Sequence, residues 1–358
     1  MKSLKDFEKE INKCSKCGLC QAVCPVFKET KNDCAVSKGK FIMLKGVLNN
    51  DLKLNKNINK YLDMCLKCGK CKDFCPSDID VCKIFETAKY EFVKNTFWGK
   101  VVFFLQSKYV FGNLLKLINK KQDIKCANAK LKLLYFRGCA GKFSNHTTEI
   151  LKNFDNIEVI EKDFECCGIP FLSSGNLERF EEVKNRNVSL IEKSDFDYIL
   201  TDCASCESTL KNYFDNDKYK FINLGELIEN SNFKLQSKKE LKVTFHKPCH
   251  LENSDYIEKL LTNIEGIKYI KCDGFDDCCG FAGEFALKNP KLSLVISKKK
   301  AENIIKSGAD YVVTCCPACI LGLKQGLSHF KNAPKVIDLS KFLVQSRFND
   351  FLADTNSI

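Results

Sequence analysis

Two short runs constrain this chain more than any other part of it. Residues 14–25 read CSKCGLCQAVCP and residues 65–76 read CLKCGKCKDFCP. Both have the form CxxCxxCxxxCP. Two-residue gaps let one tight loop aim three thiolates at neighbouring corners of a small body, while the fourth thiolate leaves on the following segment and points elsewhere. Pro25 and Pro76 lack an N–H and restrict the backbone just after the fourth Cys. Gly18 and Gly69 permit close backbone approach to whatever the thiols hold. A fold around these runs is organised by a bound group as much as by an apolar core.

The chain has 358 residues and 23 Cys. The segment MKSLKDFEKE has no apolar signal region, and the longest run without a charge, Tyr311 to Leu323, is shorter than the roughly 18 residues a membrane span needs. The expected location is therefore the reducing cytosol, peripheral to the inner face of the cytoplasmic membrane at most. Thiols there are not kept as disulfides; clusters of them bind metal or act in redox chemistry. The CxxCxxCxxxCP spacing is that of a 4Fe–4S run whose fourth Cys ligates the other cluster when two runs are present. The expected ligand sets are Cys14, Cys17, Cys20 with Cys75, and Cys65, Cys68, Cys71 with Cys24. Zinc is the competing reading, but it prefers four ligands in two separated CxxC pairs.

The remainder contains an internal repeat. LKLLYFRGC at 131–139 aligns with LKVTFHKPC at 241–249, and CCG at 166–168 with CCG at 278–280. DYILTDCASC at 197–206 aligns with DYVVTCCPAC at 310–319, and FINLGELI at 221–228 with VIDLSKFL at 336–343. Each copy begins with an apolar strand ending near a Cys. Helical stretches such as 146–154, 255–264 and 292–307 alternate with buried-looking strands at 198–201 and 311–314. That alternation predicts α/β units with parallel sheets, whose strand C-terminal ends are where ligands bind. Each copy gathers five thiols there: Cys139, Cys166, Cys167, Cys203 and Cys206, then Cys249, Cys278, Cys279, Cys316 and Cys319. Five exceed the needs of a tetrahedral zinc or an ordinary cubane, and adjacent Cys residues suit two different irons better than one. Zinc with spare thiols and a CxxC redox disulfide stay open as alternatives.

These repeats resemble the cysteine-rich CCG domain family, and their tandem arrangement resembles the cysteine-rich subunit of heterodisulfide reductases. Preceded by two tetrads, the chain from about residue 10 to 345 resembles the glycolate oxidase iron–sulfur subunit; SKGK at 37–40 and HKPCH at 246–250 look like landmarks of that family. Lactate-utilisation and anaerobic glycerol-3-phosphate dehydrogenase subunits share related parts. The resemblance implies a noncubane 4Fe–4S cluster, or zinc, in one or both repeats. It also implies a separate FAD-containing dehydrogenase subunit that oxidises glycolate or lactate, and a quinone-type electron acceptor. The alternative it leaves is a heterodisulfide-reductase-like or quinone-reducing subunit with its own noncubane cluster active site. This sequence departs from the family in slightly tighter spacing before each CCG and in an extra thiol, Cys315, where the first copy has Asp202. The two repeats are thus expected to differ in occupancy.

The fold class expected is α+β and multi-domain. An α-helical two-cluster ferredoxin-like domain (1–96) leads through a helical linker (97–128) to two α/β cysteine-rich domains (129–236 and 237–346) and a tail (347–358). A helix is expected over 41–48 and another over 81–94. The aromatic-rich stretch 97–118, which holds Trp98, is expected to pack on the core as a helix pair, with a membrane-surface helix as the alternative. Cys34, Cys82, Cys126 and Cys272 fall outside every motif and read as small buried hydrophobes. His246 and His250 flank Cys249, either as structural residues or in support of its site. No hydrolase triad, P-loop or dinucleotide fingerprint is present, so no catalytic residue is assigned, and two-electron oxidation of an acid needs a cofactor held elsewhere. Of 57 basic residues only Arg137, Arg179, Arg186 and Arg347 are Arg. The net charge of +12 therefore reads as a Lys-rich solvated surface and not as a nucleic-acid reader. Lys13, Lys16, Lys67, Lys70 and Lys72 beside the tetrads are expected to favour an acidic docking partner.

Overall fold

The computed structural model describes residues 2–106, 122–139, 141–214, 218–231 and 233–348. A helical N-terminal region is followed by two parallel-sheet α/β units that correspond to the two repeats. In the first unit, strands β1 (Leu131–Tyr135), β2 (Ile157–Glu161), β3 (Tyr198–Thr201) and β4 (Phe221–Asn223) lie in the order β2-β1-β3-β4, all parallel. In the second, β5 (Leu235–Phe245), β6 (Glu265–Tyr269), β7 (Tyr311–Thr314) and β8 (Lys335–Asp338) repeat that order as β6-β5-β7-β8. A short β9 (Arg347–Phe348) runs antiparallel to the start of β5.

The repeat is legible down to its helix caps. The last helix of each unit starts just after β4 or β8, at Leu224 and at Leu339. The side chain of Asn223 accepts from Gly225 N, and that of Asp338 from Ser340 N. These are the N-cap bonds that Asn and Asp supply best. Helices on the sheet faces leave β1, β3 and β7 almost wholly buried, so they read as continuous aliphatic runs instead of alternating ones.

One core joins the two units. Leu133, Tyr135, Val159 and Leu227 of the first pack in the same cluster as Val243, Phe245, Leu261 and Leu343 of the second. The backbone N–H of Ala204 also donates across the boundary to the carbonyl of Cys315, at 2.9 Å. Within the first unit, Arg137 Nη2 reaches Glu161 at 2.7 Å and Thr148 Oγ1 at 2.5 Å, with both charged side chains almost wholly buried.

The N-terminal region has a core of its own, made by Leu4, Phe7, Ile11, Phe41, Leu44, Ile58, Ile84 and Phe85. Its two longest helices are Ser37–Leu48 and Val81–Val93. The second of these lies against both cysteine-rich units. Lys89 Nζ is bound to Asp63 at 2.8 Å, to Glu284 at 2.9 Å and to the Ser173 carbonyl at 2.6 Å.

The aromatic stretch departs from expectation. The helix Phe97–Leu105 buries only Gly99, while Phe97, Trp98 and Phe104 are 73%, 74% and 73% exposed. The closest approach is at Gly99, where a Cβ would lie 1.9 Å from the Val93 carbonyl, and Gln106 at the helix end accepts from Ser174 Oγ and Asn176 Nδ2, both at 3.1 Å. Its aromatic face has nothing from the described residues to cover it. The second helix expected in that stretch falls outside the described residues.

Arg137→Ala should leave Glu161 charged, buried and unpaired, and should cost about 3–5 kcal/mol. Urea unfolding followed by far-UV circular dichroism measures this. Replacing the pair together (Arg137→Met with Glu161→Leu) should recover most of the loss.

Candidate iron–sulfur centres

The two tetrads fold as copies of each other. Each is a loop followed by a short helix (Leu19–Val23 and Lys70–Asp73), and the middle Lys of each first CxxC, Lys16 and Lys67, is left-handed at φ 61° and 52°. The thiols meet in two small cavities, of about 40 and 30 Å³. Cys14, Cys17, Cys20 and Cys75 line one of them. Cys24, Cys65, Cys68 and Cys71 line the other, and Cys71 also touches the first. The fourth Cys of each run thus lies with the first three of the other run.

The two cavities differ in exposure. Cys17 is exposed, and Leu19 and Phe74 stand beside it at 50% and 57% exposure, so the first tetrad meets solvent. The second faces inward. Burial pushes the Cys68 thiol up to about 12, partly offset by the Lys70 backbone N–H. Buried thiols of this kind ionise only if a cation supplies the missing charge.

Both five-thiol sets come together, for a topological reason. In each unit the thiols follow the C-terminal ends of three adjacent strands: β1, β2 and β3, or β5, β6 and β7. The CCG glycines make the return possible. Gly168 and Gly280 have φ +98° and +78°, the left-handed region where a side chain is strained. In the first site, hydrogen-bonding contacts run from Cys139 to Cys166, Cys167, Cys206 and Cys203 in turn. Bonds from Cys166 and Cys206 pull the Cys167 thiol down to about 5.

In the second site Cys279 contacts Cys278 and Cys319, the latter at 3.6 Å between sulfurs, and Cys319 contacts Cys316. Burial raises the Cys249 thiol, and so do the nearby thiols of Cys68 in the second tetrad and of Cys279 and Cys316. Cys278 packs in one cluster with Cys24 and Cys68. The second tetrad and the second cysteine-rich site are therefore neighbours. Ser205, from the first unit, lies 3.4 Å from Cys316 Sγ and 3.2 Å from His250 Nδ1, and His250 Nε2 is 3.1 Å from the Lys67 carbonyl.

The donor sets fit metal–sulfur groups. Each cysteine-rich site is walled by a glycine where a side chain would intrude. A Cβ on Gly138 would lie 2.8 Å from Cys206 Sγ, and one on Gly322 would lie 3.2 Å from Cys279 Sγ and 2.8 Å from its carbonyl. Next to them, His246 is 1% exposed, and its ring faces the Cys279 thiol and the Phe275 backbone without a hydrogen bond of ordinary geometry to either.

The residues outside the motifs fall in different places. Cys82 lines the second-tetrad cavity, where burial and then the charge of Cys65 raise its thiol. Cys272 is a buried thiol in an apolar cluster, as expected, and packs there with Cys279, Cys316 and Cys319. Cys126 donates to the Asp155 carbonyl at 2.9 Å. Lys67 and Lys70 are not free docking charges: Lys67 pairs with the buried Glu86 at 3.5 Å, and Lys70 with the half-exposed Asp276 at 3.0 Å. Lys13 and Lys16, beside the first tetrad, remain exposed. Among the described residues no helix is long and apolar enough to cross a membrane.

Comparison with known proteins agrees with this layout. Residues 10–79 match the 4Fe-4S dicluster domain, and residues 133–211 and 243–324 each match the cysteine-rich domain. An uncharacterized iron-sulfur protein of Methanococcus maripaludis is 28% identical over 91% of this chain and 70% of its own length. A subunit of the dihydromethanophenazine:CoB–CoM heterodisulfide reductase of Methanosarcina acetivorans is 22% identical over 94% of each chain. The probable glycolate oxidase iron-sulfur subunit of Bacillus subtilis is 21% identical over 95% of this chain and 94% of its own. The chain thus joins a 4Fe–4S dicluster domain to two cysteine-rich domains, and it is an iron–sulfur electron-transfer protein.

Gly138→Val should displace the Cys206 thiol and lower the metal content of the anaerobically purified protein by the first cysteine-rich site's share. Metal analysis with electron paramagnetic resonance should show the two tetrad signals unchanged.

Proposed function

We propose that the chain is the iron–sulfur subunit of a 2-hydroxy-acid dehydrogenase. A separate FAD subunit oxidises glycolate or lactate, and a quinone-type acceptor receives the electrons. The observation that carries this reading is the order of the centres, from an exposed first tetrad to an inward second one beside the second cysteine-rich site. Iron–sulfur clusters, where the thiols hold them, supply one-electron transfer. The chain's own residues do the rest. In this reading Cys14, Cys17, Cys20 and Cys75 hold one cluster, and Cys65, Cys68, Cys71 and Cys24 the other. The five-thiol sets hold a noncubane 4Fe–4S cluster or zinc. Leu19, Phe74, Lys13 and Lys16 form the docking face for the flavoprotein, with apolar contact at its centre and charge at its rim. The relation to the glycolate oxidase iron–sulfur subunit over nearly the full length supports the choice of acid.

A second reading has its own observation. A cleft of about 300 Å³ opens onto Cys68, Cys249, His250, Asn212 and Tyr213. A small acceptor there would be reduced by this chain directly, as in a heterodisulfide-reductase-like protein, and the similarity to the Methanosarcina heterodisulfide reductase supports that alternative.

Two measurements test these readings. The purified chain should show no oxidation of glycolate or lactate with a redox dye, and addition of the FAD subunit should restore turnover, faster at low salt. Turnover of a disulfide or quinone by the chain alone, given reduced dye, favours the second reading. Cys75→Ser should abolish the resonance of the cluster held by the Cys14 loop and leave that of the Cys65 loop intact. Loss of only the Cys65-loop signal overturns the crossed assignment.

A further inference from the structure

The two cysteine-rich sites are built on the same plan but differ at one buried position. His246 follows β5 directly, and its backbone N–H donates to the Val313 carbonyl at 2.9 Å. The aligned residue of the first unit is Phe136, whose N–H donates to the Leu200 carbonyl, also at 2.9 Å. The sheet thus holds both side chains at equivalent places beside the thiols. Phe136 stacks on Phe164, with ring centroids 4.8 Å apart. His246 has no such use for its ring.

The surroundings of His246 are those of a ligand. A ring nitrogen of His246 and the sulfurs of Cys279 and Cys319 all lie within 4.8 Å of one another, and all three residues are buried. The two sulfurs are 3.6 Å apart. Two thiolates bound at about 2.3 Å to one tetrahedral ion sit roughly 3.8 Å from each other, so this spacing suits one shared metal ion. The Cys279 thiol and the Phe275 backbone face the ring, but neither ring nitrogen makes a hydrogen bond of ordinary geometry. A buried polar group held so loosely is costly, and coordination removes that cost.

We propose that His246 is a nitrogen ligand of the second cysteine-rich site, bound to the same metal ion as Cys279 and Cys319. That site is then a mixed imidazole–thiolate site, and the first is all-thiolate. The ion is an iron of a cluster or a zinc; both accept this donor set. The inference rests on the reading of the five-thiol sets as metal-holding and is independent of which acid the complex oxidises. If the ion is iron, a neutral imidazole donor present in one site and absent from the other makes the two sites unequal in reduction potential, since ligand identity sets that potential. If it is zinc, the second site does no electron transfer.

The test uses the full chain, purified anaerobically, in a Cys167→Ser background that removes the first cysteine-rich site from the spectra. Iron and zinc per chain are counted, and pulsed electron paramagnetic resonance (for iron) or zinc-edge X-ray absorption (for zinc) reports nitrogen ligation. A directly bound nitrogen is expected before substitution. His246→Phe, which copies the first site, should abolish it and lower second-site metal affinity on the order of tenfold or more, with tetrad signals unchanged. His246→Cys should keep the metal and replace the nitrogen with sulfur, which separates ligand loss from misfolding. The proposal is overturned if His246→Phe leaves metal content and spectra as they were, or if the nitrogen signal is only of hydrogen-bond strength. No metal beyond the two tetrads in the unsubstituted protein overturns it as well, together with the metal reading of the cysteine-rich sites. Metal present without bound nitrogen overturns it alone.

Discussion

The relative placement of the centres depends on one buried ammonium. Lys89 sits on the helix Val81–Val93 and binds Asp63 beside the second tetrad, Glu284 of the second unit and the Ser173 carbonyl of the first. Burial lowers the affinity of this amine for its proton, and Asp63 restores part of it. An unpaired charge there would be far more costly than any single surface bridge. Removal of any one partner therefore strains the junction of all three parts. Around this point, Lys67 to Glu86 and Lys70 to Asp276 repeat the same device with the tetrad loop itself. Lysines that flank a cysteine run in sequence suggest an outward charge; here two of them are the fasteners that draw the loop inward.

The rest follows from parallel topology. A strand order of 2-1-3 puts three successive C-terminal ends side by side, and three segments far apart in sequence deliver their thiols to one place. This is why the repeat was readable without a structure. Strand, Cys, CCG and CxxC each have a local backbone reason for existing, whether aliphatic burial, the left-handed Gly168 and Gly280, or the helix beginning at Ala204 or Pro317. The helices expected over 41–48 and 81–94 were readable from their apolar spacing; the first begins four residues earlier, at Ser37, and the second is capped by Asp80.

What the sequence withheld is whatever depends on contact between distant segments. Cys82 looks like any spare thiol until the fold lines it up with Cys65 and Cys71. The aromatic stretch at 97–105 has helical spacing, but spacing does not tell that a single glycine is its only buried residue. His246 and Phe136 occupy the same register beside corresponding thiols, but only His246 brings a ring nitrogen to them. The four core strands of the two units have the same order, so the contrast between Phe136 and His246 is one of side chains.

That difference extends to the seam between the units. Asp202, the counterpart of Cys315, accepts from Tyr135 Oη at 2.5 Å and from Thr147 Oγ1 at 2.7 Å, within its own unit. Cys315 lies instead in the shared core, and its carbonyl holds the first residue of the helix that carries Cys206. Ser205 on that helix then reaches Cys316 and His250 of the second unit. The first unit therefore supplies part of the wall of the second site, while the second unit anchors the helix of the first. The second site is therefore not complete in an isolated repeat. The tandem arrangement is thus more than duplication: the copies have diverged in what surrounds their thiols, and their shared seam keeps the unlike sites in fixed relation to each other and to the second tetrad.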